Sequence, residues 1–471
     1  VVDAVVVGAG PNGLAAAVAI AREGYAVTVL EAADTIGGGT RTAELTVPGL
    51  RHDLCSAVHP FAVASPFLSR LPLDEHGLRW CWPEVDLAHP VAGRRAGVLV
   101  RSVDDTAIGL GVDGPAWRRA FAPLAAGFGA LADDLMRPIV HVPRHPLRLA
   151  RFGLGALQPA TTYARRWRTD EARALFGGVA AHAIQPLTRP TTAAIGMMLT
   201  AAGHDVGWPV AQGGSAAITD ALADLLRSLG GTVETGVRID ALRELPRARV
   251  ALFDVAPAAM ARIAGDRMPD HVRRAYTRYR HGPAAFKVDL AVEGGVPWSS
   301  EPARRAGTVH VGGSLEEIAH AEAEVAAGRM PDRPFVLLTQ PSVADPGRAI
   351  GDVHPVWAYA HVPHGWRGDA TGALLAQVER FAPGVRDRVV GMHVRDPARL
   401  EADNPNYVGG DVATGANDPV QVVLRPRPAA DPYWTGVPGV FLCSAATPPG
   451  AGVHGMCGAN AARSALRVLA A

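Results

Sequence analysis

Hydrophobic and polar positions change their period several times along this chain. The opening "DAVVVGAG" (3–10) is a continuous apolar run ending in glycine, the pattern of a buried strand. "PNGLAAAVAIAREG" (11–24) then reads as a helix stopped by Gly24, and "AVTVLE" (26–31) as a second buried strand. From about 75 to 208 this β-α-β rhythm lapses. "AWRRAFAPLAAGFGALADDLM" (116–136) and "DEARALFGGVAAHAI" (170–184) predict long helical stretches there. The rhythm resumes with "GGSAAITDALADLLRSLGG" (213–231), a helix with a Ser215 cap and a glycine stop, followed by strands over 232–240 and 249–257. "AAFKVDLAV", "TVHVGG", "FVLLTQPS" and "VWAYAHVP" are strand-like pieces between about 284 and 400, "GVFLCSAA" (439–446) is a further strand, and "AARSALRVLA" a last helix.

This order predicts an α/β Rossmann-like domain assembled from discontinuous segments, 1–75, 209–283 and 435–471. A second, α+β domain is formed by the insertions 76–208 and 284–434. With 471 residues, 48% hydrophobic and 19% charged, the chain is long enough for two cores. The net charge of +1 gives no pull toward nucleic acid. The four cysteines, Cys55, Cys81, Cys443 and Cys457, lack the close spacing of a zinc or redox site, which fits reduced thiols in a cytoplasmic protein. No basic leader precedes the first strand, and no run approaches the roughly 20 apolar residues of a membrane span. "RHPLRLARFGLGAL" (144–157) mixes Arg and Leu as a surface-seeking helix does. Pro146, Gly153 and Gly155 argue against a clean helix there, so peripheral membrane contact is not favoured.

Gly8, Gly10 and Gly13 form G-x-G-x-x-G between the first strand and its helix. Glu31 ends the second strand at the distance where a carboxylate accepts from ribose hydroxyls and repels a 2′-phosphate. A further glycine cluster, "IGGGTRT" (36–42), exceeds what a plain nicotinamide fold needs and suits a longer flavin dinucleotide, and "PPGAGVHG" (448–455) resembles a ligand cradle more than a core element.

Together, "VVVGAGPNGLAAA", "LEAADTIGGGTRT", "PVAQGGSAAITDAL", "GGTVETGVRI", "QPSVADPGRA", "AYAHVPHGW", "NPNYVGGD" and "LCSAATPPGAGVHGMCGANAA" resemble the phytoene desaturase and flavin-containing amine oxidase superfamily. The resemblance is to its phytoene dehydrogenase-like, pyridine nucleotide-disulphide oxidoreductase domain type 2 group. It implies a glutathione reductase-like FAD domain. Gly8, Gly10, Pro11, Asn12, Gly13, Glu31, Gly38, Gly39, Thr40 and Arg41 then fall on cofactor positions. Val237 falls where a backbone amide and carbonyl meet the adenine, and Gly452, Val453 and Gly455 lie along the flavin. Ala451 stands where relatives often carry glycine, which puts local geometry in question.

The expected chemistry is hydride transfer from a largely apolar or polycyclic small molecule to flavin N5, as a desaturase, dehydrogenase or oxidase. Oxygen, a quinone or a protein would accept the electrons, and a homodimer is compatible. Candidate catalytic residues are His454 in the flavin-side segment, His361 in "AYAHVPHG", and Lys287, the only lysine. By the resemblance, Lys287 matches a lysine that holds a water near N5 in amine oxidases. His182, Trp117, Met197 and Met198 read more simply as core. Two alternatives stay open: an NAD(P)H-dependent reductase or monooxygenase, which lacks a second G-x-G-x-x-G here, and a non-catalytic FAD-binding protein. No metal site is expected.

Overall fold

The computed structural model describes residues 2–138 and 141–471. Twelve strands build its two main sheets: β1 (Ala4–Val7), β2 (Val27–Leu30), β3 (Val85–Pro90), β4 (Ala96–Leu99), β5 (Thr232–Glu234), β6 (Val250–Phe253), β7 (Ala284–Glu293), β8 (Ala306–Val311), β9 (Val336–Thr339), β10 (Val353–Val362), β11 (Val389–Arg395) and β12 (Val440–Leu442). The helices that matter to the site are α1 (Pro11–Ala21), α2 (Gly114–Ala125), α3 (Phe128–Leu135), α4 (Pro146–Ala156), α5 (Asp170–Ala180), α6 (Thr192–Val206), α7 (Ala216–Ser228), α8 (Leu315–Ala326) and α9 (Met456–Leu469).

The first sheet is parallel, in the order β12-β6-β1-β2-β5. Strands β1, β2, β6 and β12 are buried at every position because helices cover both faces. On one side Val6, Val29 and Leu252 pack with Leu14 and Val18 of α1, Leu222 of α7 and Ala462 of α9. On the other, Val5, Phe253 and Leu442 meet Met260 and Tyr276. The order places β1 at the centre, so the α1 N-terminus opens above the carboxyl ends of the strands, where α/β sheets bind ligands.

The second sheet runs β11-β7-β10-β9-β8-β3-β4 and is antiparallel except where β8 meets β3. Its strands alternate. Phe286, Val288, Leu290, Val309, Leu338, Val356 and Ala358 form a wholly apolar face under the helix Thr371–Glu379. The register puts Lys287, Asp289, Trp357, Tyr359, His361, His310 and His89 on the opposite face, toward the interior. A third core lies among Trp117, Phe121, Trp167, Leu175, Phe176 and Met197, holding α2, α5 and α6 together.

The helical expectations for 75–208 need four corrections. Strands β3 and β4 lie inside that region and extend the second sheet. The stretch 116–136 is two helices, broken at Gly127, where a side chain would strike the Arg148 guanidinium. Residues 170–184 end their α-helix at Ala180 and finish in a 3-10 turn. The 144–157 segment does form a helix, α4: Pro146 takes the first turn, where its missing N–H costs nothing, and Gly155 makes room for Met197 and Tyr163. Outside that region, the strand expected over 232–240 ends at Glu234, before Gly236 turns with φ +72°. Ser215 does not cap α7; its hydroxyl donates to the Ser56 carbonyl at 2.8 Å and meets His59 Nε2 at 2.8 Å.

The closest junction is between α1 and α9. A side chain on Gly458 would collide with the Asn12 carbonyl oxygen. Gly458→Ala is expected to cost about 3 kcal/mol, the upper range for overpacking. Chemical denaturation checks this against Arg467→Ala on the exposed side of the same helix, which should change stability by less than about 0.5 kcal/mol.

Candidate functional site

The turn from β1 into α1 carries three glycines for three different reasons. Gly8 has φ +105°, a left-handed conformation. A side chain on Gly13 would strike the Gly8 carbonyl oxygen. One on Gly10 would start 2.9 Å from a carboxylate oxygen of Asp254, which follows β6. Pro11 has no N–H, and the Gly13 amide donates to Asp254 Oδ2 at 3.0 Å. The Asn12 amide is therefore the remaining first-turn donor of α1.

Glu31, buried just past β2, accepts from the amides of Ala9 at 2.7 Å and Ala33 at 2.9 Å. Arg41 stands 3.6 Å from it and donates to the Thr35 and Asp403 carbonyls, which leaves its buried Nε without a partner. A carboxylate has about four acceptor sites, so Glu31 retains capacity for a ribose. Gly38 and Gly39 let the second loop rest on the first. A side chain on Gly38 would lie 3.1 Å from the Gly10 Cα, and one on Gly39 would strike the Tyr407 hydroxyl. Thr40 is buried and donates to the Gly37 carbonyl at 2.8 Å. At Val237 the expectation changes: its amide donates to the Glu31 carbonyl at 2.8 Å, so only its carbonyl stays available for an adenine.

The C-terminal cluster meets this turn. Gly450, Gly452 and Gly455 all have positive φ, whereas Ala451 does not, so its methyl group fits without strain. Val453 is half-buried against the first core. His454 is buried; its Nδ1 accepts from the Met456 amide at 3.0 Å, and its carbonyl accepts from Ser65 at 2.6 Å. That ring shapes the start of α9.

The facing sheet gathers charge where the sequence singled out one lysine. Lys287 donates to Asp289, which also accepts from Arg395 at 3.0 Å and lies 3.7 Å from His52. Burial lowers Lys287 to about 7, against the pull of Asp289. Its ammonium lies 5.2 Å from the Trp357 ring centre, and Trp357, Tyr359 and His361 follow along β10. His361 pairs through Nδ1 with Glu322 of α8 at 2.7 Å. His182, Trp117 and Met197 lie in packed surroundings, and Met198 is half-buried beside them. Thus Gly8, Gly10, Glu31, Gly38, Arg41 and Gly455 converge, while Lys287 and His361 line a separate sheet and His454 belongs to the turn.

Sequence reasoning missed Asp254, Asp289, Arg395, Glu322 and His310. The alternation in "FKVDL" was the available signal for Asp289, since it puts both charges on one face. The others carry no local pattern.

A model of the NAD(P)-binding Rossmann-like domain matches residues 6–71. The rat pyridine nucleotide-disulfide oxidoreductase domain-containing protein 2 is 25% identical over 99% of this chain and 94% of its own length. An uncharacterised protein of Mycobacterium tuberculosis is 23% identical over 99% and 97%. Among solved structures, putrescine oxidase bound to putrescine has a TM-score of 0.62 at 19% identity, covering 100% of this chain and 99% of its own. Cyclohexylamine oxidase from Brevibacterium oxydans has a TM-score of 0.57 at 16% identity, covering 100% and 98%. Fold and site define an α/β protein of two main sheets, one of them a Rossmann-like dinucleotide-binding unit. The full-length resemblance is to the pyridine nucleotide-disulfide oxidoreductase type 2 proteins, in the fold of the amine oxidases.

Five buried histidines, His52, His59, His89, His204 and His454, and the half-buried His182 are held near pKa 4 by desolvation. Each binds its proton more readily when unfolded, so stability is lost as pH falls from about 6.5 toward 4. Denaturant midpoints measured at intervals across that window should drop steeply; a flat profile would show that these rings are not buried neutral.

Proposed function

We propose that the chain is an FAD-dependent oxidoreductase that takes a hydride from a largely apolar or polycyclic small molecule. The observation that carries this reading is the meeting of two glycine turns, with the N-termini of α1 and α9 side by side. Two positive helix ends and the Arg41 guanidinium suit the pyrophosphate of a dinucleotide. The chain's residues fit FAD: Glu31 and the Val237 carbonyl would hold the adenosine, the Gly10 and Asn12 amides with Arg41 the pyrophosphate, and Gly452–Gly455 the flavin side. When bound, FAD supplies a two-electron acceptor that takes hydride at N5.

What remains for the protein is orientation, water exclusion and proton handling. Phe61 lies beside Gly452, and Phe61, Phe67, Ile195 and Met198 are half-buried against one apolar core, groups that favour an apolar substrate body. Lys287, with a pKa near neutrality, leads the catalytic candidates for holding or passing a proton; His361 follows. His454 ranks last because its ring is spent on α9. The discontinuous division of the chain into FAD and substrate domains is part of this proposal.

Acid denaturation of the purified protein is expected to release FAD, identified by chromatography. NAD(P)H mixed anaerobically with the protein should leave the visible flavin band nearly unchanged. Release of FMN, or rapid bleaching by NADPH, overturns the assignment. Glu31→Ala should weaken FAD binding by about 1.5–3 kcal/mol, the loss of a charged hydrogen-bond acceptor. Flavin-to-protein absorbance across an FAD titration measures it, with circular dichroism confirming the fold.

A further inference from the structure

The acid that no motif announced sits inside the glycine turn. Asp254 Oδ2 accepts from the Gly13 amide at 3.0 Å, and its Cβ lies 3.0 Å from where a Gly8 side chain would begin. The backbone there is clamped by Asn406, whose Nδ2 donates to the Asp254 carbonyl at 3.0 Å while its Oδ1 accepts from Ala256 at 2.8 Å. Asp254 thus caps α1 from a distant strand, a task that Gly10 at the N-cap cannot perform.

No cation answers this carboxylate among the described residues. The titratable groups around it are Glu31 past β2, Cys443 past β12 and Cys457 on α9, each an acid. Arg41, the cation of the adjoining loop, stands against Glu31. Burial lifts the Asp254 carboxyl to about 7, and the charge of Glu31 adds to the rise. A pyrophosphate would bring further negative charge to the same turn. A protonated carboxyl still accepts from Gly13 through its carbonyl oxygen and has an O–H to offer an anion.

We propose that Asp254 carries a proton whenever FAD is bound, so that loading the cofactor takes up one proton from solution. This rests on the FAD reading above. Asp254 is then a positioning residue that holds the α1 amides in place as a neutral cap and adds no charge to the anion site.

The test is calorimetric titration of FAD into the full chain stripped of its flavin, in buffers of different ionisation heat. At about pH 8, above the carboxyl's range, the buffer dependence should give an uptake near one proton. It should fall toward zero well below pH 7, where the site is already protonated. Above pH 7, FAD affinity should weaken about tenfold per pH unit. Asp254→Asn keeps the shape and the acceptor, and should bind FAD with no proton uptake and a flat pH profile. Binding without buffer dependence at pH 8, or wild-type uptake in the Asn variant, overturns the inference. If the variant does not fold, the wild-type proton count decides alone. A stripped wild-type chain that binds no FAD at any pH sinks the cofactor reading itself, which separates the two failures.

Discussion

The contact on which the site depends is the backbone approach of two helices at their N-termini. Gly458 lies against the Asn12 carbonyl, and Gly455 against the methyl group of Ala15. That approach fixes the distance between the G-x-G-x-x-G turn and the C-terminal cluster, and so the size of the gap that a dinucleotide can span. It also explains why small residues, Gly13, Ala15, Ala16, Ala17 and Ala21, outnumber Leu14, Val18 and Ile20 among the buried positions of α1: bulk at the junction would push α9 away. The second loop obeys the same rule, since Gly38 rests on Gly10. Three turns far apart in sequence are thus locked by the absence of side chains.

The second sheet applies a different principle. One face is purely apolar and stabilises the domain; the other carries buried ionisable groups whose cost must be offset by partners. Asp289 receives both Lys287 and Arg395, and Glu322 receives His361. The buried imidazoles beside them stay neutral because burial disfavours their charged form. A surface of this kind is polar in detail yet low in net charge, which suits the orientation of a mostly apolar molecule.

The parts of the fold legible in the sequence were those governed by local period and by glycine. β1, α1, β2 and the strands from β6 to β10 followed from apolar runs, and the glycine turns from their spacing. β3 and β4 were not legible, because "VDLAHP" and "AGVL" are short, β4 pairs only with β3, and β3 joins the sheet through β8, far away at Ala306–Val311. The α4 helix forms despite its proline and glycines because Pro146 occupies the first turn, where it is harmless, and Gly155 is a packing device. Glu31 and Arg41 were legible as separate residues of the cofactor loops, but their approach to 3.6 Å was not. Asp254 was not, since its role arises only when β6 is laid beside β1.

That adjacency has a consequence for how the chain assembles. β6 and β12 are neighbours in one sheet, yet all of the second sheet except β3 and β4 is made between them. During synthesis the early strands have no partner on that side, and the apolar edge of β6 waits while the intervening strands emerge. Long-range parallel pairing of this sort is slow and aggregation-exposed. The second sheet, whose strands β7 to β11 are contiguous, is free to form first and to shorten the search that brings β12 home. The dinucleotide unit, first in sequence, is then the last to close.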